Sequence, residues 1–332
     1  MKELSSFDLF FLERELKQLI GGKIDNIYQY SKKHLIFQIF ITGKGKVLLE
    51  WNNGFIFIKD KKEKNNVEMH LSKQLKKVLD QSRIQKIYQK NSERIIVIEL
   101  LKKTKEKYET YYLVFELFKP FNLIFLSNDI IKIVAESVIY PKRKVILKEK
   151  YIFPESVNNF LEIKAKGLFE KTQESEMRTI ATFMAIEMNL GGKFAEEILA
   201  RALVDKNKKP SDITSNDAEN IVLIKNELKS IKINACINDN NAFPFQFITF
   251  DQSENIKKQN FSEAIDAIIL KEIIVNPYEG IIEKQKKVIE ELKKEIELNK
   301  QIGDLIYTNY TLIKTELEKN KKKSKQISID VE

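Results

Sequence analysis

The chain has one cysteine, Cys236, two histidines, His34 and His70, and one tryptophan in 332 residues. A lone thiol closes no intramolecular disulfide, and one Cys with two His falls short of a structural zinc ligand set. The expectation is a reduced, cytoplasmic protein with no metal and no cofactor. Apolar runs long enough to span a bilayer are missing, and acidic residues with Arg14 break the apolar stretch nearest the start, which argues against a signal peptide and a membrane partner. No P-loop, G-x-S-x-G or H-E-x-x-H motif occurs, so NTPase, hydrolase and zinc-protease chemistry have no support and no catalytic residue is assigned.

What is present is charge and a sufficient core. Lys and Arg number 57 against 48 Asp and Glu, a net +9, and hydrophobic residues make up 43%. The excess favours a polyanionic partner, although a Lys-, Ile- and Asn-rich composition yields the same figure as solvated surface. The length suits two or three units.

Ser5-Ser6-Phe7-Asp8 has the form of a capping box, and Leu9, Leu12, Leu16, Leu19 and Ile20 then repeat at helical spacing until Gly21-Gly22, which predicts a helix from about Ser6 to Ile20. A meander follows, with β-rich runs at 35–41, 46–50 and 54–59 after Lys23-Ile24-Asp25-Asn26-Ile27-Tyr28-Gln29. The pattern then returns: Leu71, Leu75, Val78 and Leu79 lie on one helical face, followed by Arg83-Ile84-Gln85-Lys86-Ile87-Tyr88-Gln89 and a run at 95–100. An internal repeat of this kind implies two helix-plus-meander units sharing one sheet system, because neither small sheet covers its own apolar face. The Tyr-Gln pair in each unit reads first as packing and second as a ligand contact.

Further strands are expected at 111–116, 123–127 and 130–137, then helices over 156–169, 177–189, 194–204 and 215–231. Between the second and third of these helices, Leu190-Gly191-Gly192-Lys193 makes a glycine turn, the pattern of a helix-hairpin-helix module. Gly191, Gly192 and Lys193 suit phosphate, since glycines admit a close backbone and a helix N-terminus carries free N–H groups. An ordinary helical hairpin has the same pattern. Strand character at 233–238 and 244–251 is read as rejoining the first sheet, so the helical module is an insertion. From Pro277 a long helix carries Ile289, Leu292, Ile296, Ile306, Ile313 and Leu317 on a near-heptad seam, interrupted at Asn299 and Gly303; it needs a second helix to cover it.

The ordered set Phe7-Asp8-Leu9, Gly22–Gln29, Glu93-Arg94-Ile95-Ile96, Glu116-Leu117-Phe118, Asn122-Leu123-Ile124, Leu190-Gly191-Gly192 and Phe261–Asp266 resembles the amino-terminal part of the NFACT family, of the archaeal and eukaryal type. The resemblance covers about Met1 to Lys319. It implies a ribosome-associated quality-control factor that binds the obstructed large ribosomal subunit, through its rRNA and peptidyl-tRNA. Such a factor recruits tRNA, alanyl-tRNA above all, for template-free C-terminal tailing, while peptide-bond formation stays with the ribosome, so the chain is not expected to be an enzyme. The family's tRNA-handling residues match Asp8, Glu93 and Arg94, with Glu93 longer by a methylene than the family's Asp. From the residues alone, Asp8 serves as the N3 member of a capping box and Glu93-Arg94 as a surface ion pair. Lys119-Pro120-Phe121 departs from the family's small, glycine-containing segment.

The implied fold is α+β: a pseudo-repeated helix-plus-meander sheet domain with an inserted helix-hairpin-helix module, then a long coiled-coil helix. The expected boundaries are 1–170 for the first part of the β-rich domain, 171–214 for the module and 215–275 for the return. A coiled-coil helix over 276–325 and a tail over 326–332 follow. Family members carry two coiled-coil helices and a further RNA-binding domain, so either this sequence is a fragment or a second polypeptide supplies the missing half, the split form being favoured; a homodimer also covers the seam. Two other functions fit the residues: a ribosome-docking scaffold without tRNA, and a DNA-binding helix-hairpin-helix protein. The formamidopyrimidine glycosylases have a similar arrangement, but Lys2 and the lone Cys236 replace their proline nucleophile and zinc finger.

Overall fold

The computed structural model describes residues 3–62, 69–104, 107–155, 158–275 and 279–319. The first helix, α1 (Ser6–Leu16), begins at the predicted capping box: Ser5 Oγ accepts from Asp8 N at 3.2 Å and Asp8 Oδ2 accepts from Ser5 N at 2.8 Å. Its α-helical part stops at Leu16, and a 3-10 turn over Lys17–Leu19 completes the predicted length.

Four strands follow, β1 (Lys23–Ser31), β2 (His34–Ile41), β3 (Gly45–Asn52) and β4 (Phe55–Lys59), then α2 (His70–Leu79). The second series is β5 (Arg83–Gln89), β6 (Ile95–Lys103), β7 (Tyr108–Glu116), β8 (Asn122–Ser127) and β9 (Ile130–Val134). Among the described residues all nine strands form one antiparallel sheet in the order β4-β3-β2-β1-β5-β6-β7-β8-β9. The two meanders run outward from a central β1–β5 pairing at Lys23 and Arg83, a pseudo-twofold arrangement that the repeat predicts.

The halves exchange helices. α1, which precedes the first meander, packs on β5 and β6 of the second and on β4 of its own, while α2 packs on β1 of the first and β9 of its own. The repeated glutamines fasten this exchange: Gln89 Nε2 donates to Ser6 O at the start of α1 (2.8 Å), and Gln29 Oε1 accepts from Ser72 N in the first turn of α2 (3.0 Å). Both Tyr-Gln glutamines thus serve packing. Phe7, Phe11, Leu12 and Leu16 of α1 join Leu35, Phe37, Trp51, Ile96 and Phe115 in the main core. A second core lies on the other face of the sheet, with Ile95, Val97, Val114 and Ile124 beneath Val145 and Tyr151.

Past the sheet come a two-stranded ribbon, β10 (Val138–Ile139) with β11 (Lys144–Val145), and the helices α3 (Ala165–Glu174), α4 (Ile180–Ile186), α5 (Gly192–Arg201) and α6 (Ser215–Ser230). The helix predicted from 156 starts only at Ala165, because the carbonyls of Leu161 and Ile163 accept from Lys229 Nζ and Lys225 Nζ of α6 rather than from helical N–H groups. The helix predicted over 177–189 is shorter too: Thr179 caps it, and Asn189 turns left-handed after it.

The strands β12 (Cys236–Asn238), β13 (Asn241–Phe243) and β14 (Ile256–Lys257) correct the sequence reading, for they form a separate sheet in the order β13-β12-β14 and do not rejoin the first. Asp239 and Asn240 both take positive φ, so β12 turns straight back on β13. The expected strand over 244–251 is irregular. Its Ile248 and Thr249 N–H groups donate to the buried Glu197 carboxylate at 2.9 and 3.1 Å, and Phe245 and Phe247 stack edge-on with Phe194. Phe245 and Phe247 nevertheless pack in the main core.

Helix α7 (Phe261–Val275) begins on a carboxylate cap, Glu15 accepting from Phe261 N (2.6 Å) and Ser262 N (2.9 Å). The chain divides into two units, Met1–Ile269 and Leu270–Glu332. In the second, α8 (Glu279–Thr308) runs unbroken through Asn299 and Gly303, and the break before α9 (Tyr310–Lys319) falls at Asn309. Pro277 and the residues beyond Lys319, including the whole of the expected tail over 326–332, lie outside the described residues. Among the described residues no helix is long and apolar enough to cross a membrane.

Candidate nucleic-acid interface

Three segments far apart in sequence meet at one end of the sheet. The first is the start of α1. The second is the β5–β6 turn, where Asn91 and Ser92 take positive φ and Glu93 N donates to Lys90 O at 2.7 Å. The third is the α4–α5 turn, closed by Gly191 N donating to Ala185 O at 3.0 Å. Gly191 has φ +72°, a backbone conformation that favours glycine, while a Cβ there would meet the Cβ of Ser5 at 3.4 Å, an ordinary contact.

Hydrogen bonds tie the three together. Ser6 Oγ donates to Asn189 O at 2.7 Å, and Asn189 Nδ2 donates to Glu93 Oε2 at 3.3 Å. Gln89 Nε2 bridges Ser6 O and Glu93 O. Beneath them Phe7 and Phe194 pack edge to face, 5.1 Å between centroids. On this floor lies a cleft of about 290 Å³ lined by Glu3, Ser5, Gly191, Gly192, Lys193 and Glu196 among others.

The residues expected to handle tRNA and phosphate lie at or beside this junction. Asp8 is fully buried, and its carboxylate is spent on the Ser5 cap, so it shapes the start of α1 from within. Glu93 is half-buried against Asn189. Arg94 does not pair with its neighbour Glu93 as a simple ion pair would; Arg94 Nη1 donates to Glu3 Oε2 at 2.8 Å. Gly191 and Gly192 line the cleft, and Lys193 Nζ sits 5.4 Å from the Phe250 ring centroid.

Glu3 and Lys119 are the residues sequence reasoning missed. Lys119 Nζ reaches the other oxygen of Glu3 at 3.1 Å, so two cations share one carboxylate. The Arg94 hydrogen bond, reinforced by Lys119, holds the Glu3 carboxyl below its ordinary range against a small opposing effect of burial. The only signal in the sequence was the departure at Lys119-Pro120-Phe121. Glu3 is 44% exposed and Arg94 26%. An exposed pair of this kind contributes little stability, and a guanidinium fork accepts phosphate in place of carboxylate.

The seam residues lie in the second unit. Ile289, Leu292, Ile296, Ile306 and Leu317 are each at least half exposed, and Ile313 is intermediate.

The chain matches the NFACT N-terminal and middle domains over residues 5–327, and it belongs to the NFACT family. Among curated proteins it is similar to the archaeal Rqc2 homolog aRqcH of Methanocaldococcus jannaschii, 27% identical across 94% of this chain and 51% of that protein. The chain thus spans about half the length of that relative. Two solved structures share the α+β fold. The N-terminal part of the fibronectin/fibrinogen-binding protein of Streptococcus suis superposes with a TM-score of 0.67 at 17% identity, covering 81% of this chain and 99% of that one. The fibrinogen binding protein of Staphylococcus aureus gives 0.64 at 14%, covering 79% and 97%.

Proposed function

We infer that this chain acts in ribosome-associated quality control. It binds the obstructed large ribosomal subunit with its peptidyl-tRNA and recruits tRNA, alanyl-tRNA in particular, for template-free tailing of the stalled nascent chain. Family membership and the likeness to an Rqc2 homolog support the role. The observation that carries the tRNA step is that Arg94 and Lys119 both pair with Glu3, a lining residue of the cleft that the Gly191–Lys193 turn also lines, which sets a cationic fork beside a glycine-opened helix start. In this reading α4, the glycine turn and α5 work as a helix-hairpin-helix phosphate module. The long α8 is one strand of a coiled coil whose mate comes from a second polypeptide, from further sequence of the same protein, or from a second copy. Peptide-bond chemistry belongs to the ribosome, the chain itself is no enzyme, and it works in the cytoplasm.

The test is to recover the protein from its cells and sequence the co-purifying RNA, comparing wild type with Arg94→Glu. Large-subunit rRNA with an enriched tRNA, the tRNA alone being lost in the variant, upholds the reading. The occupancy of Arg94 by Glu3 favours one alternative, a docking scaffold, for which rRNA appears with no tRNA in either sample.

A further inference from the structure

On the opposite face of the sheet, the ribbon β10–β11 and the strap that follows it hold a second basic cleft, of about 330 Å³, lined by Tyr140, Lys142, Arg143, Lys144, Lys150 and Ile152 together with Pro141 and Glu149. Its base is rigid. Arg143 is 91% buried by its 9% exposure, and its Nη1 donates to Glu116 Oε1, which also accepts from Tyr151 Oη at 2.7 Å. The guanidinium carbon lies 4.4 Å from the Tyr140 ring centroid, and Tyr140 N donates to Arg143 O at 2.8 Å, so the ring is held in one orientation. A buried ion pair of this kind fixes geometry more than it adds stability.

The rim is different in kind. Lys142 pairs with Glu155 at 2.8 Å, but Lys144, Lys148 and Lys150 are exposed and make no ion pair among the described residues. Their backbone is fixed: Lys148 N donates to Ile131 O and Ile131 N to Glu149 O, both at 2.9 Å, which docks this strap along β9. Glu149 is the one carboxylate on the lining. Lys144 and Lys150 on the lining, with Lys148 nearby on the same strap, and a half-buried tyrosine ring that a buried arginine contacts match the chemistry of single-stranded nucleic acid, phosphates on the lysines and a base on the ring.

We propose that this cleft is a second RNA-binding surface, which takes an unpaired RNA segment with a base against Tyr140 and phosphates at Lys144, Lys148 and Lys150. The turn after β7 separates it from the Arg94 cleft, since Phe118 touches Arg143 and Lys119 touches Glu3. The two surfaces are independent in residues, so one can fail without the other.

The experiment titrates the full chain with a short oligouridine at several salt concentrations. Replacing Lys144, Lys148 and Lys150 together by Ala should lower the magnitude of the log–log salt slope by about 2 and weaken binding at least tenfold near 0.1 M salt. Tyr140→Leu should weaken binding about tenfold with the slope unchanged, and Tyr140→Phe should restore it; thermal melting checks that both variants fold. Arg94→Glu, by contrast, should leave oligouridine binding within about twofold of wild type while it removes tRNA, which separates this proposal from the reading above. Unchanged affinity and slope in the triple lysine variant overturn the proposal. So does equal competition by a polyglutamate peptide with no effect of Tyr140→Leu, which would mark the cleft as a dock for an acidic protein.

Discussion

The two halves of the sheet begin alike and end differently at their first turns. In the first half β1 continues through Tyr30 and Ser31 to a tight turn at Lys32-Lys33, and Lys33 is held by Glu136 and the Pro120 carbonyl. In the second half β5 stops at Gln89. Gln29 pairs with Leu35 and Gln89 with Ile96, so the second connection is one residue longer. Asn91 and Ser92 use that residue to open a wider turn, and Arg94 emerges from it toward the α1 start and the glycine turn. The scaffold repeats; the candidate site sits where the repetition fails. Each half also buries one glutamate on its third strand, Glu50 and Glu116, but Glu50 is met by strands of its own half and Glu116 by the basic ribbon beyond the sheet.

The sharpest break in this comparison should come from removing the positive charge at each of the two turns. Arg94→Glu is expected to weaken tRNA binding more than tenfold, about 1.4 kcal/mol or more, while Lys33→Gln at the matching turn leaves it unchanged in the same titration. Next, the exchanged glutamines should prove equivalent. Gln89→Leu removes the side-chain donor that Ser6 O and Glu93 O share, Gln29→Leu strands the Ser72 N–H, and each should cost about 1–3 kcal/mol in urea unfolding. Unequal losses would mean that one helix contributes little to the closure. A smaller effect is expected at the cap: Ser5→Ala should cost about 1 kcal/mol and loosen the start of α1, with no counterpart at α2, whose N-cap Met69 makes no side-chain bond.

The mildest test is acid. Burial alone would raise the Glu50 carboxyl, but hydrogen bonds from His34 and Lys59, both at 2.9 Å, hold it below its ordinary 4.5. Its folded value lies under its unfolded one, so the stabilisation is present above pH 4.5 and is lost as pH falls through the folded value. Glu50→Gln should flatten that part of the stability profile in acid denaturation, and an unchanged slope would remove Glu50 from the account.

Much of the sheet was legible because periodicity and turn residues are local signals. The capping box at Ser5–Asp8, the paired Ile-Tyr-Gln strands and the meanders all came from nearby residues. What escaped depended on partners distant in sequence. Nothing around Leu161 announces that Lys229 will take its carbonyl, and nothing around Thr249 announces Glu197, so a helix was drawn too long and a strand drawn where none forms. The small sheet was misassigned because alternation marks a strand without naming its neighbour. At the site, Asp8, Glu93, Arg94 and the glycine turn were visible one by one through family resemblance. Glu3 and Lys119 were not, since a surface charge declares its partner only when the chain has folded.

The helix exchange bears on how the protein is made. When the first sixty residues have been synthesised, the apolar face of α1 has no β5 to lie on. The sheet edge at β1 is likewise open, and its glutamine has no helix to hold. Closure waits until Gln89 and the strand beyond it have left the exit tunnel. The two halves therefore close together, and a chain that pauses between them has only β4 of its own half to cover α1, leaving the side that β5 and β6 bury open to the chaperones that attend emerging polypeptides.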